Sequence, residues 1–407
     1  MDCSKKEYTW IRLKNKNKST SEPWFYHSKA LDFESLYENT EHAEFMVTEE
    51  QVRKYLSEYR DPFLKQGLVD AKVLKSIEIE GDNIHITLKL GFPLGAYEDQ
   101  LKRELIEFIK DKDPSLNVVI DISWRVDAHV HPAKVQAMPN VKNIIAVASG
   151  KGGVGKSTTS VNLALALRAL GANVGILDAD IYGPSMPIML GMQGNNPETI
   201  DKKSILPIES HGLQSMSIGY LVKPEQAMVW RGPMASGALQ QLINDTQWKD
   251  LDYLIIDLPP GTGDIQLTMA QKIPVTAAVV VTTPQDIALA DARKAVTMFN
   301  KVSVPVLGVV ENMAMHTCSN CGHQEHIFGQ GGGDTLAKEI GVELLGSLPL
   351  ALSIREQTDA GEPTVVKEPE SDVTKRYLDI AQRMAAKLSL EAKDFKASFP
   401  SISIENT

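Results

Sequence analysis

Gly150-Lys-Gly-Gly-Val-Gly-Lys-Ser157 brings four glycines, two lysines and a hydroxyl into eight residues. The run satisfies G-x-x-x-x-G-K-[ST] at every fixed position. Gly150, Gly152, Gly153 and Gly155 carry no side chains, so the backbone there, Val154 included, can curl its N–H groups around phosphate oxygens. A helix starting near Ser157 adds the positive end of its dipole. In such a loop Lys156 reaches the outer phosphates of a nucleotide, Ser157 binds Mg2+, and Thr158 helps hold the innermost phosphate. Asp257 ends the apolar run Tyr253-Leu-Ile-Ile-Asp257, where a carboxylate helps place the metal. Pro-Pro-Gly-Thr-Gly-Asp264 follows as a stiff loop beside the outermost phosphate. Asp178 and Asp180 follow another apolar run, at the strand ends where α/β sheets place their ligands. Asp180 is the candidate for positioning an attacking water.

A second constellation is Cys318-Ser-Asn-Cys321, flanked by Met313, His316, Gly322 and His323. The chain holds three cysteines, Cys3 being the other. That count excludes a disulfide framework and fits a reducing cytoplasm. Polar neighbours argue against two buried structural thiols, and the Ser-Asn middle does not fit a redox-active helix, so metal binding is the favoured reading. One chain offers two thiolates, whereas a closed zinc site or a [4Fe–4S] cluster commonly takes four protein ligands. His323 and His326 could complete a local zinc site of two cysteines and two histidines, although the spacing is cramped. A two-fold dimer would instead unite two CxxC pairs as a four-thiolate site.

From Asn143 onward, apolar strands alternate with helical segments. Strands are expected at Ile144–Ala148, Val174–Asp178, Tyr253–Asp257, Ala277–Thr282, Val306–Val310 and Leu344–Leu348, several apolar at nearly every position. That pattern predicts a doubly wound, mostly parallel α/β sheet over residues 143–390. A last helix is expected over residues 371–388, with Tyr377, Ile380, Met384 and Leu388 on one face. Ahead of this body, residues 46–127 read as a small α/β unit. Thr48-Glu-Glu-Gln51 is a capping box opening its first helix. Strands at 73–80 and 84–90 meet at the turn Gly81-Asp82-Asn83. Leu101, Leu105, Phe108 and Ile109 recur at helical spacing, and 118–126 is a third strand. Residues 128–142, with Pro132 and Pro139, read as a linker. Residues 1–45, rich in aromatics without a period, read as a disordered extension, and 391–407 as a tail.

At roughly 100–200 residues per domain, 407 residues favour two domains. Hydrophobic residues at 43 % and charged residues at 23 % place the chain among globular proteins. Acidic residues outnumber basic ones by 52 to 42, for a net charge of −10, which argues against a nucleic-acid surface. No apolar run approaches the ~18 residues of a membrane span, and the N-terminus lacks the apolar core of a signal peptide. The expected location is the cytoplasm, away from membranes.

Taken together, these residues identify a resemblance. Its carriers are Ser149-Gly-Lys-Gly-Gly-Val-Gly-Lys-Ser157, Leu177-Asp-Ala-Asp-Ile-Tyr-Gly-Pro-Ser185, Val229-Trp-Arg-Gly-Pro-Met234, Ile256-Asp-Leu-Pro-Pro-Gly-Thr-Gly-Asp264, Thr283-Pro-Gln-Asp286, Glu311-Asn-Met313 and Cys318-Ser-Asn-Cys321. Over residues 46–390 the chain closely resembles the Mrp/ApbC iron–sulfur cluster carrier proteins, which belong to the MinD-like P-loop ATPases. The resemblance implies a homodimer that carries a [4Fe–4S] cluster on Cys318 and Cys321 of each chain and transfers it to apo-proteins. It also implies scaffold proteins as partners and a cycle regulated by ATP binding and hydrolysis. Lys151, the extra lysine of the deviant loop, is then expected to reach across the dimer to the partner's nucleotide. Asn312 is expected to contact the adenine base. The small unit looks like the iron–sulfur assembly domain fused to many members. Such domains often carry a loop cysteine, but Gly91-Phe-Pro-Leu-Gly95 has none, so partner docking is its expected role. Three rivals remain at this level: a positioning ATPase, an electron-donating reductase and a nickel or zinc metallochaperone. The first leaves the CxxC idle.

Overall fold

The computed structural model describes residues 47–131, 136–201, 203–222, 232–318 and 320–393. The extension read at 1–45, most of the tail and the Trp230-Arg231 pair lie outside them. The small unit runs α1 (Glu49–Glu58), β1 (Leu74–Glu80), β2 (Asn83–Leu90), α2 (Tyr97–Lys112) and β3 (Asn117–Trp124). The chain continues with β4 (Val141–Ala148), α3 (Lys156–Ala169), β5 (Val174–Asp178), α4 (Met186–Met189), β6 (Ile208–Ser210), β7 (Leu213–Ser217), α5 (Gly232–Asp245) and β8 (Leu251–Asp257). Then come α6 (Asp264–Lys272), β9 (Ala277–Thr282), α7 (Asp286–Lys301), β10 (Val306–Thr317), β11 (Gln324–Glu325) and α8 (Gly332–Ile340). β12 (Glu343–Leu350), α9 (Leu352–Asp359), α10 (Thr364–Lys367) and α11 (Asp372–Ser389) complete it.

Thr48 caps α1 as its sequence signature requires, its side chain accepting from the Gln51 N–H while the Gln51 side chain accepts from the Thr48 N–H. β1 and β2 are antiparallel across a turn at Gly81 (φ +60), and β3 joins β2 in parallel. Ile84, Ile86, Leu88 and Leu90 point into the core as the alternation demands.

Among the described residues the large sheet has nine strands, in the order β11-β10-β9-β4-β8-β5-β7-β6, with β12 paired to β10. All its pairings are parallel except β10–β11 and β6–β7. Successive residues feed opposite cores. Ile145 and Val147 of β4 pack on the side of α3 and α11, while Ile144, Ala146 and Ala148 pack on the side of α5 and α7. Burial on both faces explains why these strands read as unbroken apolar runs. α11 starts with Ser371 as N-cap and buries Tyr377, Ile380, Met384 and Leu388. Each such side chain contributes about 1.5–3 kcal/mol.

The core on the α3 and α11 side is continuous with that of the small sheet. Gln382 of α11 donates its amide to the Leu94 carbonyl at 3.2 Å, and a Cβ on Gly95 would lie 2.9 Å from Leu170. The small sheet is therefore seated on the helix that leaves the phosphate loop.

Two elements depart from expectation. β4 begins at Val141, inside the segment read as linker, because Lys142 pairs with Asp252 at 2.7 Å and the Leu251 N–H bonds the Asn140 carbonyl. β10 runs to Thr317 rather than stopping at Val310. Its outer half mixes Glu311, Asn312 and His316 with Met313, Ala314 and Met315 and so lacks an unbroken apolar signature, but it is held by β12 and β11.

Candidate functional site

The loop between β4 and α3 is shaped by close approach on both sides. A Cβ on Gly150 would sit 2.1 Å from the Asp291 backbone of α7, and one on Gly155 would sit 2.2 Å from Asn312 Nδ2. Gly153 (φ +84) and Gly155 (φ +80) are left-handed, and Gly155 is the N-cap of α3. A Gly155→Ala protein should therefore lose at least about tenfold in ADP affinity by calorimetry and melt several degrees lower. Alanine in the left-handed region costs about 1–2 kcal/mol before the clash with Asn312 is counted. Wild-type affinity in a folded variant would refute this geometry.

Asp257 ends β8 fully buried and is ringed by three donors. Lys156 Nζ lies at 2.8 Å, Ser157 Oγ at 2.6 Å and Ser160 Oγ at 2.6 Å. A buried carboxylate is tolerated only when paired and hydrogen-bonded, and here it is both. Lys156 is itself only 6 % exposed. The Ser157 hydroxyl and the Asp257 carboxylate form a hard oxygen pair of the kind Mg2+ takes. Ser160 escaped the sequence reading, although it lies one helical turn beyond Ser157 on the same face. Lys151 and Gly152 are exposed, and Thr158 is half-buried.

β5 and β8 are in register at Asp178 and Asp257, so two carboxylates end adjacent strands. Burial, reinforced by the charge on Asp257, pushes Asp178 up to about 7. Asp178 accepts N–H bonds from Asp180, Ser185 and Met186, and a hydroxyl bond from Ser217 at 3.0 Å. It anchors the loop that carries Asp180. Burial also raises the Asp180 carboxyl, against the pull of Lys156. Gly261 of the Pro-Pro-Gly-Thr-Gly loop bonds the Ser149 carbonyl at 2.9 Å, pinning that loop beside the end of β4.

β10 links this site to the cysteines. Asn312, 8 % exposed, donates Nδ2 to the Val154 carbonyl at 2.9 Å. Met313 stands next to it at φ +56, where the pairing of β10 with β12 breaks between Glu311 and Met315. Cys318 then opens the turn into β11. Its N–H bonds the His323 carbonyl, and its own carbonyl accepts from Gly322, at φ +71. The N–H groups of Asn320 and Cys321 hold the Cys318 thiol below its ordinary range. Cys321 is exposed. His316 and His326 engage the carbonyls of Leu350 and Ala314 through Nδ1. Among the described residues, no three His, Cys, Asp or Glu side chains converge on a common metal position. Nor is any described helix long and apolar enough to cross a membrane.

The family model described as the NUBPL iron-transfer P-loop NTPase matches residues 140–385, and that of an iron–sulfur cluster assembly protein matches residues 49–119. The iron–sulfur cluster carrier protein of Haemophilus influenzae is 52 % identical over 343 residues, covering 83 % of this chain and 91 % of its own. That of Escherichia coli is 53 % identical over 341 residues, covering 82 % of this chain and 90 % of its own. Among solved structures, a nucleotide-binding protein from Archaeoglobus fulgidus in complex with ADP is 38 % identical, with a TM-score of 0.51. That match covers 57 % of this chain and 90 % of the other. The resemblance drawn from the motifs is borne out: the chain belongs to the family of NUBPL iron-transfer P-loop NTPases.

Proposed function

We propose that this protein carries a [4Fe–4S] cluster as cargo and hands it to apo-proteins, in a cycle gated by ATP binding and hydrolysis. The observation that carries the reading is β10, one strand whose Asn312 touches the phosphate loop and whose end turns into Cys318. A nucleotide site and a thiol pair share a single structural member.

At the nucleotide site the chain's own groups divide the work. The backbone of residues 150–155 and the start of α3 cradle phosphate, and Lys156 supplies charge to its outer oxygens. Ser157 and Asp257 would hold Mg2+, which neutralises charge on the phosphates when bound. Asp180, set by Asp178, orients the water. Lys151, exposed at the loop, reaches toward the nucleotide of a second protomer.

The cysteine turn supports a homodimer. Two thiolates per chain, with no third ligand converging among the described residues, leave half of a four-ligand site. Among the described residues no histidine converges with the cysteine pair on a common metal position, which counts against a closed zinc site of Cys318, Cys321, His323 and His326 within one chain. A cluster at the seam of two chains is also exposed enough to leave.

Anaerobic reconstitution tests this. About four irons and four sulfides per pair of chains are expected, with transfer read as activation of an apo-enzyme that needs such a cluster. One tightly held zinc per monomer would overturn the carrier reading.

A further inference from the structure

We infer that Asn312 and Met313 are positioning residues that carry the state of the phosphate loop to the cysteine turn. This rests on the nucleotide and thiol roles proposed above and adds the route between them.

One peptide plane lies between Asn312 and the inside of the phosphate loop. Asn312 Nδ2 bonds the carbonyl of Val154, and that carbonyl belongs to the peptide whose N–H is that of Gly155. A trans peptide is planar with C=O and N–H pointing opposite ways, so Asn312 holds one end and the other faces away from β10. Phosphate drawn to the loop pulls on that N–H end. Rotation or polarisation of the plane is then felt at the Asn312 amide, because hydrogen bonds in series strengthen one another. The grip is tight on both sides. A Cβ on Gly155 would meet Asn312 Nδ2 at 2.2 Å and the terminal methyl carbon of Met313 at 3.7 Å.

Met313 is where β10 can yield. It is a non-glycine residue at φ +56, in a region that L residues seldom occupy. It also sits in the interval where pairing with β12 lapses. Beyond it the strand is tied on both sides. Met315 and His316 pair with Pro349 and Leu350, and His316 and Thr317 pair with Glu325 and Gln324. The His316 ring bonds the Leu350 carbonyl at 3.0 Å, and the Cys318 N–H bonds the His323 carbonyl at 2.9 Å. A change at residue 313 therefore moves the end of β10 and the cysteine turn as one piece. The span from Asn312 to Cys318 is about 20 Å at the rise of an extended strand.

Alkylation of Cys318 and Cys321 in the metal-free protein, resolved by peptide mass spectrometry, reads this route without a cluster. MgADP should change the wild-type rate by about fivefold or more, the lower range of coupling between sites. Met313→Gly frees the backbone at the yielding point and should bring the ratio with and without MgADP close to one, with ADP affinity within about threefold. Met313→Leu should keep the wild-type ratio. Should Met313→Gly fail to fold, Asn312→Ala, which removes only the amide, serves instead at MgADP concentrations shown by calorimetry to saturate it, and should likewise flatten the ratio. A wild-type ratio of one, or a wild-type ratio retained in both Met313→Gly and Asn312→Ala, overturns the inference. Failure of the carrier reading shows separately, in the iron content of the reconstituted protein.

Discussion

Cys318→Ala or Cys321→Ala should bring reconstituted iron and sulfide to background and stop transfer to an apo-enzyme, while ADP binding stays within about twofold of wild type. The arithmetic is severe because the ligands are shared. Each substitution removes one thiolate per chain, so a dimer-bridging site loses two of about four ligands at once. The two cysteines differ in surroundings. Backbone N–H groups hold Cys318 toward the thiolate, the form that binds iron, and Cys321 is exposed at the turn. The proposed nucleotide site is spared because, among the described residues, none of the groups assigned to it belongs to the turn. Asp257, Lys156 and Ser157 bond one another across β8 and α3. The check is iron, sulfide and visible absorption after anaerobic reconstitution, with ADP titrated calorimetrically. A Cys318→Ala protein that still holds a full complement of iron would sink the dimer-bridging site. Exposure at a seam also predicts that a chelator strips the wild-type cluster faster than it would a buried redox centre.

The phosphate loop, Asp257 and the cysteine pair were legible because each is a local pattern. Glycines at fixed offsets, an acid closing an apolar run and a CxxC can each be read within about ten residues. The doubly wound sheet was legible for a related reason, since strands buried on both faces lose their polar alternation. What escaped reading is held by contacts between distant residues. Ser160 reaches Asp257 across 97 positions, and Asn312 reaches Val154 across 158. Neither contact leaves a trace in local composition. Asp178 had a weaker signal, an acid ending an all-apolar strand, but its task of anchoring the Asp180 loop depends on Ser185, Met186 and Ser217 arriving from elsewhere. The outer half of β10 was missed because Glu311, Asn312 and His316 interrupt its apolar run, although Glu311, Asn312 and Ala314 are buried. The β6–β7 hairpin is short enough to carry no period at all.

Lys156→Ala should lower ATP hydrolysis by roughly a hundred- to a thousandfold, the usual cost of removing one preorganised charge at a reacting group. It should also destabilise the fold, and the two effects are separable. Lys156 Nζ lies 2.8 Å from Asp257 Oδ2, with the two side chains 6 % and 0 % exposed. Truncating the lysine leaves a buried carboxylate supported by Ser157 and Ser160 alone. Breaking a buried pair in this way costs about 3–5 kcal/mol, and the two hydroxyls place this case toward the lower end. Replacing Asp257 with asparagine as well removes the stranded charge. The double variant Lys156→Ala with Asp257→Asn should recover most of the lost melting temperature and none of the turnover. Phosphate release from the single variant and thermal denaturation of both variants distinguish the roles. Because Asp257→Asn also removes an expected Mg2+ ligand, the double variant reads stability alone, and the role of Lys156 in turnover is read on the folded single variant. If the single variant were folded and hydrolysed ATP at the wild-type rate, the assignment of the loop as the hydrolytic site would fall.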